Sequence, residues 1–132
     1  MTKVLIDSSA WIHFLRKTPG WYEMVATVLK EDRALTCGLI MIEVFRGARS
    51  QKEKKLLEEY FDLLEYGDLS KQDYREAADL AMQLAKKGFM IKTVDLLIGH
   101  LALKNKWTLL HDDSDFEMVA RHTNLQTVTL NS

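Results

Sequence analysis

Four acidic residues occupy positions from which a fold could bring them together: Asp7, Glu43, Asp95 and Asp113. Asp7 closes the aliphatic run Val4-Leu5-Ile6, and Asp113 lies just past Thr108-Leu109-Leu110. Glu43 interrupts the apolar stretch from Leu39 to Phe45, and Asp95 opens the one that begins Leu96-Leu97-Ile98. Each alone has a structural reading. Asp7 and Asp113 suit helix N-caps, and Asp95 suits the positive end of a helix dipole. Glu43 resists such treatment, because a carboxylate among apolar neighbours is costly unless paired, protonated or bound to a cation. Its structural reading is a solvent-facing position or a pairing with Arg46 one turn on. The set is more specific than its members. Carboxylates within about 4 Å repel by roughly 4 kcal/mol per pair at an effective dielectric near 20. Such a nest persists only when protonated or gathered round a hard cation, and its oxygen ligands suit Mg²⁺ or Mn²⁺.

The elements that must position these acids follow from periodicity. Lys3–Asp7, Ala34–Cys37, Trp107–Leu110 and Thr127–Leu130 read as short strands, with a very short fifth before Gly67. Ser8-Ser9 offers a cap for a helix carrying Trp11, Ile12, Phe14 and Leu15, which Thr18-Pro19-Gly20 ends. Further helices are expected over Trp21–Glu31, around Glu43, and over Gln51–Leu64, Lys71–Lys87, Thr93–Lys106 and Asp115–His122. Alternation of this kind implies an α/β domain in three layers, α/β/α, with a mainly parallel central sheet. Ligands of open α/β sheets gather beyond the carboxyl ends of the strands. Asp7 and Asp113 share that edge if their strands are parallel neighbours.

With 132 residues, the chain (residues 1–132) has room for one ordinary domain. A net charge of -1 argues against a polycation that coats nucleic acid, so any such binding must use a local patch or a metal. The lone Cys37 excludes an internal disulfide and reads as a small buried hydrophobe. With neither a secretory signal nor an apolar run of membrane-spanning length, a cytoplasmic location is expected. His13 and His100 read as packing or hydrogen-bonded residues, His111 as shaping the site's edge, and His122 as a surface helix end. Their spacing matches no zinc motif, and phosphate-binding glycine loops and nucleophile elbows are missing from the sequence. The Lys52–Lys55 run reads as a solvated helix face.

Taken together, these segments resemble the PIN domain, and specifically the VapC-type toxin ribonucleases. The resemblance rests on Val4-Leu5-Ile6-Asp7-Ser8-Ser9, Glu43-Val44-Phe45-Arg46-Gly47, Asp95-Leu96-Leu97-Ile98-Gly99-His100 and Leu110-His111-Asp112-Asp113-Ser114-Asp115-Phe116. The motifs run in family order over nearly the whole length. Gly99 stands where alanine is usual, and the last motif offers Asp112, Asp113 and Asp115 as its acid. The offset from Phe116 favours Asp113, with Asp115 a candidate for a supporting role or a second metal.

The resemblance implies Mg²⁺- or Mn²⁺-dependent endonucleolytic cleavage of RNA. Asp7 and Asp95 would be direct ligands, completed by Glu43 and Asp113 directly or through water, and Ser9 would orient Asp7. Arg46, Arg49 and Lys92 are candidates for phosphate contacts. A homodimer is implied, as is a VapB-like antitoxin in an apolar groove lined by Trp11, Phe14, Trp21 and Tyr22, although core packing suits at least two of those four. Three rivals remain on sequence grounds: a PIN nuclease of RNA maturation, a noncatalytic PIN-like binding module, and an aspartyl phosphotransferase. The last typically carries Asp-x-Asp after its first strand, where this chain has Asp7-Ser8-Ser9.

Overall fold

Val4, Leu5 and Ile6 are all buried, as a strand covered on both faces requires. In the computed structural model, which describes residues 2–130, they form β1 (Val4–Ile6). The chain continues through α1 (Ser8–Leu15), α2 (Trp21–Lys30), β2 (Ala34–Thr36), α3 (Gly38–Arg46), α4 (Gln51–Asp62) and β3 (Glu65–Tyr66). It then passes through α5 (Lys71–Lys86), α6 (Thr93–Asn105), β4 (Thr108–Leu110), α7 (Ser114–His122) and β5 (Gln126–Val128). The five strands run in the order β3-β2-β1-β4-β5, and every pairing is parallel. The sheet expected to be mainly parallel is therefore wholly so, and helices flank it.

This order places a switch point at β1. The chain builds outward from it on one side through β2 and β3, then returns to its other flank with β4 and β5. Ile6 pairs with Leu110, and the Asp7 amide donates to the Leu110 carbonyl at 3.0 Å. Asp7 and the loop after Leu110 thus emerge side by side at the carboxyl edge of the sheet. The last strand sits slightly earlier than its apolar pattern suggests, because its register follows β4: Gln126 pairs with Thr108 and Val128 with Leu110.

From the strands, Val4, Leu5, Ile6, Leu35, Leu109 and Leu110 join Trp11, Phe61, Phe116, Ile98 and Leu101 in one buried core. Two glycines have evident backbone reasons. Gly20 opens α2 at φ +85°, a conformation L side chains avoid, and a Cβ there would lie 2.9 Å from Leu130. Gly67 is pressed against Trp107 and Leu101, each 3.0 Å from where a Cβ would stand. By contrast, a Cβ at Gly99 would meet nothing closer than 3.8 Å, so the departure from alanine is a matter of indifference to packing. Among the described residues, no helix is long and apolar enough to cross a membrane.

A buried polar network fastens α5 to α6. Asp73 Oδ2 accepts from the Ser70 amide (2.7 Å) and hydroxyl (2.9 Å), closing a capping box. Its Oδ1 accepts from Lys104 Nζ at 2.8 Å and from His100 Nε2 at 3.0 Å. Lys104 first, then the Ser70 amide and His100, hold the Asp73 carboxyl well below the usual range. His100 is thus hydrogen-bonded, as one reading of the sequence had it. Replacing Asp73 by Ala removes a cap and strips His100 of its acceptor, with an expected loss of about 2–3 kcal/mol. Urea denaturation at pH 7 measures it. Because folding depresses this pKa, the stabilisation is present in full above about pH 4 and fades below it as acid protonates the native carboxylate; an Asp73→Ala curve that stays parallel to wild type below about pH 4 would contradict the assignment.

Candidate metal centre

Asp7 serves two roles at once. As N-cap of α1, its Oδ2 accepts from the Ser9 amide at 3.1 Å and the Ser9 hydroxyl at 2.6 Å. Its Oδ1 is buried without a hydrogen-bond partner. Burial pushes the carboxyl up to about 6 against the pull of the Ser9 bonds, and the Glu43 charge pushes the same way. The capping reading is therefore correct but incomplete, since one oxygen remains unused.

Asp95 stands in the first turn of α6 and is 7% exposed. Its Oδ2 is likewise buried and unpartnered. Burial, then the Asp113 charge, then a proton shared with Asp115 raise its pKa to about 8. A helix dipole alone predicts the opposite shift, so the neighbouring carboxylates and burial dominate. Asp113 caps α7, with Oδ1 accepting from the Asp115 amide at 2.9 Å. One carboxylate oxygen from each of Asp95, Asp113 and Asp115 falls within 4.8 Å of the others. Of the three acids in the last motif, Asp113 and Asp115 both join Asp95, whereas Asp112 turns to His13, its Oδ2 lying 2.7 Å from Nε2.

Glu43 lies outside that trio. It is half-buried on α3, with Oε1 accepting from the Ser8 hydroxyl at 3.1 Å, and its charge bears on Asp7. It forms no ion pair with Arg46 among the described residues, and Arg46 is exposed. Ser8 is thus a site residue that sequence reasoning passed over. The serine doublet held its signal: the first hydroxyl serves Glu43 and the second serves Asp7.

His111 is buried at the edge, with Nδ1 accepting from the Asp113 amide at 3.1 Å and Nε2 3.0 Å from Glu117 Oε1. Burial pushes its pKa down despite Glu117, and neither Nε2 nor Glu117 Oε1 makes a hydrogen bond. Arg46, Arg49 and Lys92 are exposed, Lys92 as N-cap of the helix that carries Asp95. His122, read as a surface helix end, is half-buried with its ring 4.7 Å from that of Phe89.

A groove of about 590 Å³ opens between α1, α2 and α4, lined by Phe14, Tyr22, Leu56 and Tyr60, with Lys17, Lys52 and Lys55 also on its walls. Phe14 and Tyr22 stack at 5.1 Å. Of the four aromatics considered for such a groove, Trp11 and Trp21 belong to the core, at 0% and 4% exposed, as core packing of at least two anticipated. The lysines of α4 are solvated, as expected, but Lys52 and Lys55 also flank this apolar surface.

The trio's donors are all oxygen and include the unpartnered Asp95 Oδ2; Asp7, outside the trio, adds a second buried, unpartnered oxygen and a charge that bears on Asp95. Such a set could hold a hard divalent cation. Comparison with known proteins agrees with this geometry. The family profile described as the PIN domain matches residues 4–122. VapC ribonuclease Mb1587 of Mycobacterium bovis is 31% identical over 128 residues, covering 93% of this chain and 96% of that protein. Ribonuclease VapC21 of Mycobacterium tuberculosis is 28% identical, over 92% of this chain and 89% of its own. Among solved structures, DNA-bound VapBC from Salmonella typhimurium matches with a TM-score of 0.77 at 17% identity, over 98% of both chains. The family profile, the similarity of sequence and the shared fold converge, and the chain belongs to the PIN-domain family, on its VapC branch.

Proposed function

We propose that this protein is a divalent-metal-dependent endoribonuclease, acting as the toxin of a type II toxin–antitoxin pair in the cytoplasm. The observation that carries the reading is the meeting of one carboxylate oxygen each from Asp95, Asp113 and Asp115, with buried, unpartnered oxygens on Asp95 and on Asp7, whose charge bears on Asp95. Its relatives named as VapC ribonucleases support the choice of RNA as substrate. Asp7 and Asp95 are the direct ligands, and Glu43 and Asp113 complete the nest directly or through water, with Asp115 beside them. Mg²⁺ is the expected ion, with Mn²⁺ able to replace it; when bound, such an ion supplies charge neutralisation and a lowered pKa for attacking water.

The protein's own groups perform the rest. Ser9 holds Asp7 by its Oδ2 so that Oδ1 stays directed away from the cap, and Ser8 steadies Glu43. Asp95 keeps a proton while the site lacks a counter-charge and releases it when one arrives. Arg46, Arg49 and Lys92 contact the phosphate backbone. A single domain spanning residues 1–132 pairs as a homodimer, and a VapB-like antitoxin occupies the groove beside Phe14 and Tyr22; the VapBC complexes among its structural neighbours support that pairing. Incubating the protein with total RNA in Mg²⁺, Mn²⁺ or EDTA, followed by end mapping, is the direct test. Discrete cleavage ends are expected with either metal, and none with EDTA or with Asp7→Asn. Equal cleavage in EDTA rejects the proposal.

A further inference from the structure

Ser9 and His13 stand four residues apart on α1, the spacing that places two side chains on one helix face. Both reach the same residue on a distant segment. The Asp112 amide donates to Ser9 Oγ at 2.9 Å, and Asp112 Oδ2 lies 2.7 Å from His13 Nε2. A carboxylate only accepts, so Nε2 is the donor. The imidazole is itself fixed: Nδ1 lies 3.2 Å from Thr18 Oγ1, and the ring stacks on Trp21 at 4.8 Å and 14°. Main chain and side chain of Asp112 are therefore both tied to α1. The next residue is Asp113, whose carboxylate must meet those of Asp95 and Asp115 within 4.8 Å.

We propose that His13 is a positioning residue of the acidic site, acting through Asp112 to set the loop that presents Asp113 and Asp115 to Asp95. The inference rests on the metal-site reading above, and adds a residue that touches none of the acids in the trio. Rotation of the loop about the Ser9 contact would leave the Asp112 amide satisfied and still carry Asp113 away from Asp95. The imidazole restrains that rotation from α1, alongside the bond from the Asp113 amide to His111 Nδ1. His13 and Asp112 side chains are each about a third exposed (30% and 31%), so losing their contact leaves the core intact.

Mn²⁺ titration of the purified protein, followed by calorimetry or electron paramagnetic resonance, tests this with His13→Leu, His13→Gln and Asp112→Asn. Loss of a supporting contact typically weakens metal binding by about 10-fold or more, and that is expected for His13→Leu, with thermal unfolding close to wild type. The Gln amide can donate from nearly the same place, so His13→Gln restores most of the affinity. Combining His13→Leu with Asp112→Asn is no worse than the weaker-binding single variant, as expected when two residues act as one contact. Wild-type affinity in His13→Leu, or full additivity in the double variant, overturns the proposal. Should wild-type protein bind no Mn²⁺, the metal reading fails, and amide hydrogen exchange over residues 111–115 still decides the role of His13. Faster exchange in His13→Leu supports the tether, and unchanged exchange refutes it.

Discussion

Asp95→Asn is expected to abolish metal-dependent RNA cleavage while making the metal-free protein more stable. The two effects have one origin. Asp95 is buried beside Asp113 and Asp115, and its pKa is raised to about 8. At pH 7 the folded protein either carries a proton there or suffers the repulsion, and both cost stability relative to the unfolded chain. Each unit of displacement is worth about 1.4 kcal/mol. Partial solvent screening and the desolvation of the new amide reduce the gain from Asn to something on the order of 2 kcal/mol. On the catalytic side, a ligand that holds the charge-neutralising ion is worth several kcal/mol at the transition state, so a loss of about a thousandfold or more follows. Thermal unfolding in EDTA and cleavage in Mg²⁺ measure the two sides. A variant that is inactive but less stable than wild type without metal would contradict the electrostatic account.

Mn²⁺ affinity should climb steeply with pH, about tenfold per unit wherever binding displaces one proton. The window follows from Asp7 at about 6 and Asp95 at about 8. Both values are raised on folding, so the folded protein binds more protons than the unfolded chain between pH 4 and 8. Its metal-free stability therefore declines as pH rises through that range. His111, whose pKa is lowered by burial, pulls the other way, so the difference between wild type and Asp95→Asn is the quantity to follow. That difference widens from pH 5 to pH 8 in EDTA and shrinks when Mn²⁺ is added. A pH-independent Mn²⁺ affinity would show that neither carboxyl is protonated in the free site.

The outline of the site was legible because each acid breaks a pattern. Asp7 and Asp113 lie just past apolar strands, Glu43 interrupts an apolar helical stretch where no cap is available, and Asp95 opens another, where a helix dipole also accounts for it. Parallel β1–β4 pairing then brings the ends together, as alternating elements imply. Less legible were contacts that depend on rotation about a helix. Trp11 and Trp21 offered the same aromatic signal as Phe14 and Tyr22, yet only the latter two line the groove. Asp73 gave no signal of its own in the sequence, because its partners His100 and Lys104 lie 27 and 31 residues away. His13 and Asp112 are separated by 99 residues, a distance that periodicity cannot bridge.

The sheet's strand order also bears on when the acidic site can be assembled. Asp7 and Glu43 leave the ribosome early, but their partners lie on the far side of α5, and Asp113 reaches them only once β4 has inserted alongside β1. Long-range pairings of this kind form late, after the loop between them has been closed at an entropic cost. A nascent chain that ends before Thr108 thus holds only part of its acidic nest. On the proposed reading, the acidic site is complete only once the residues after Thr108 have been made.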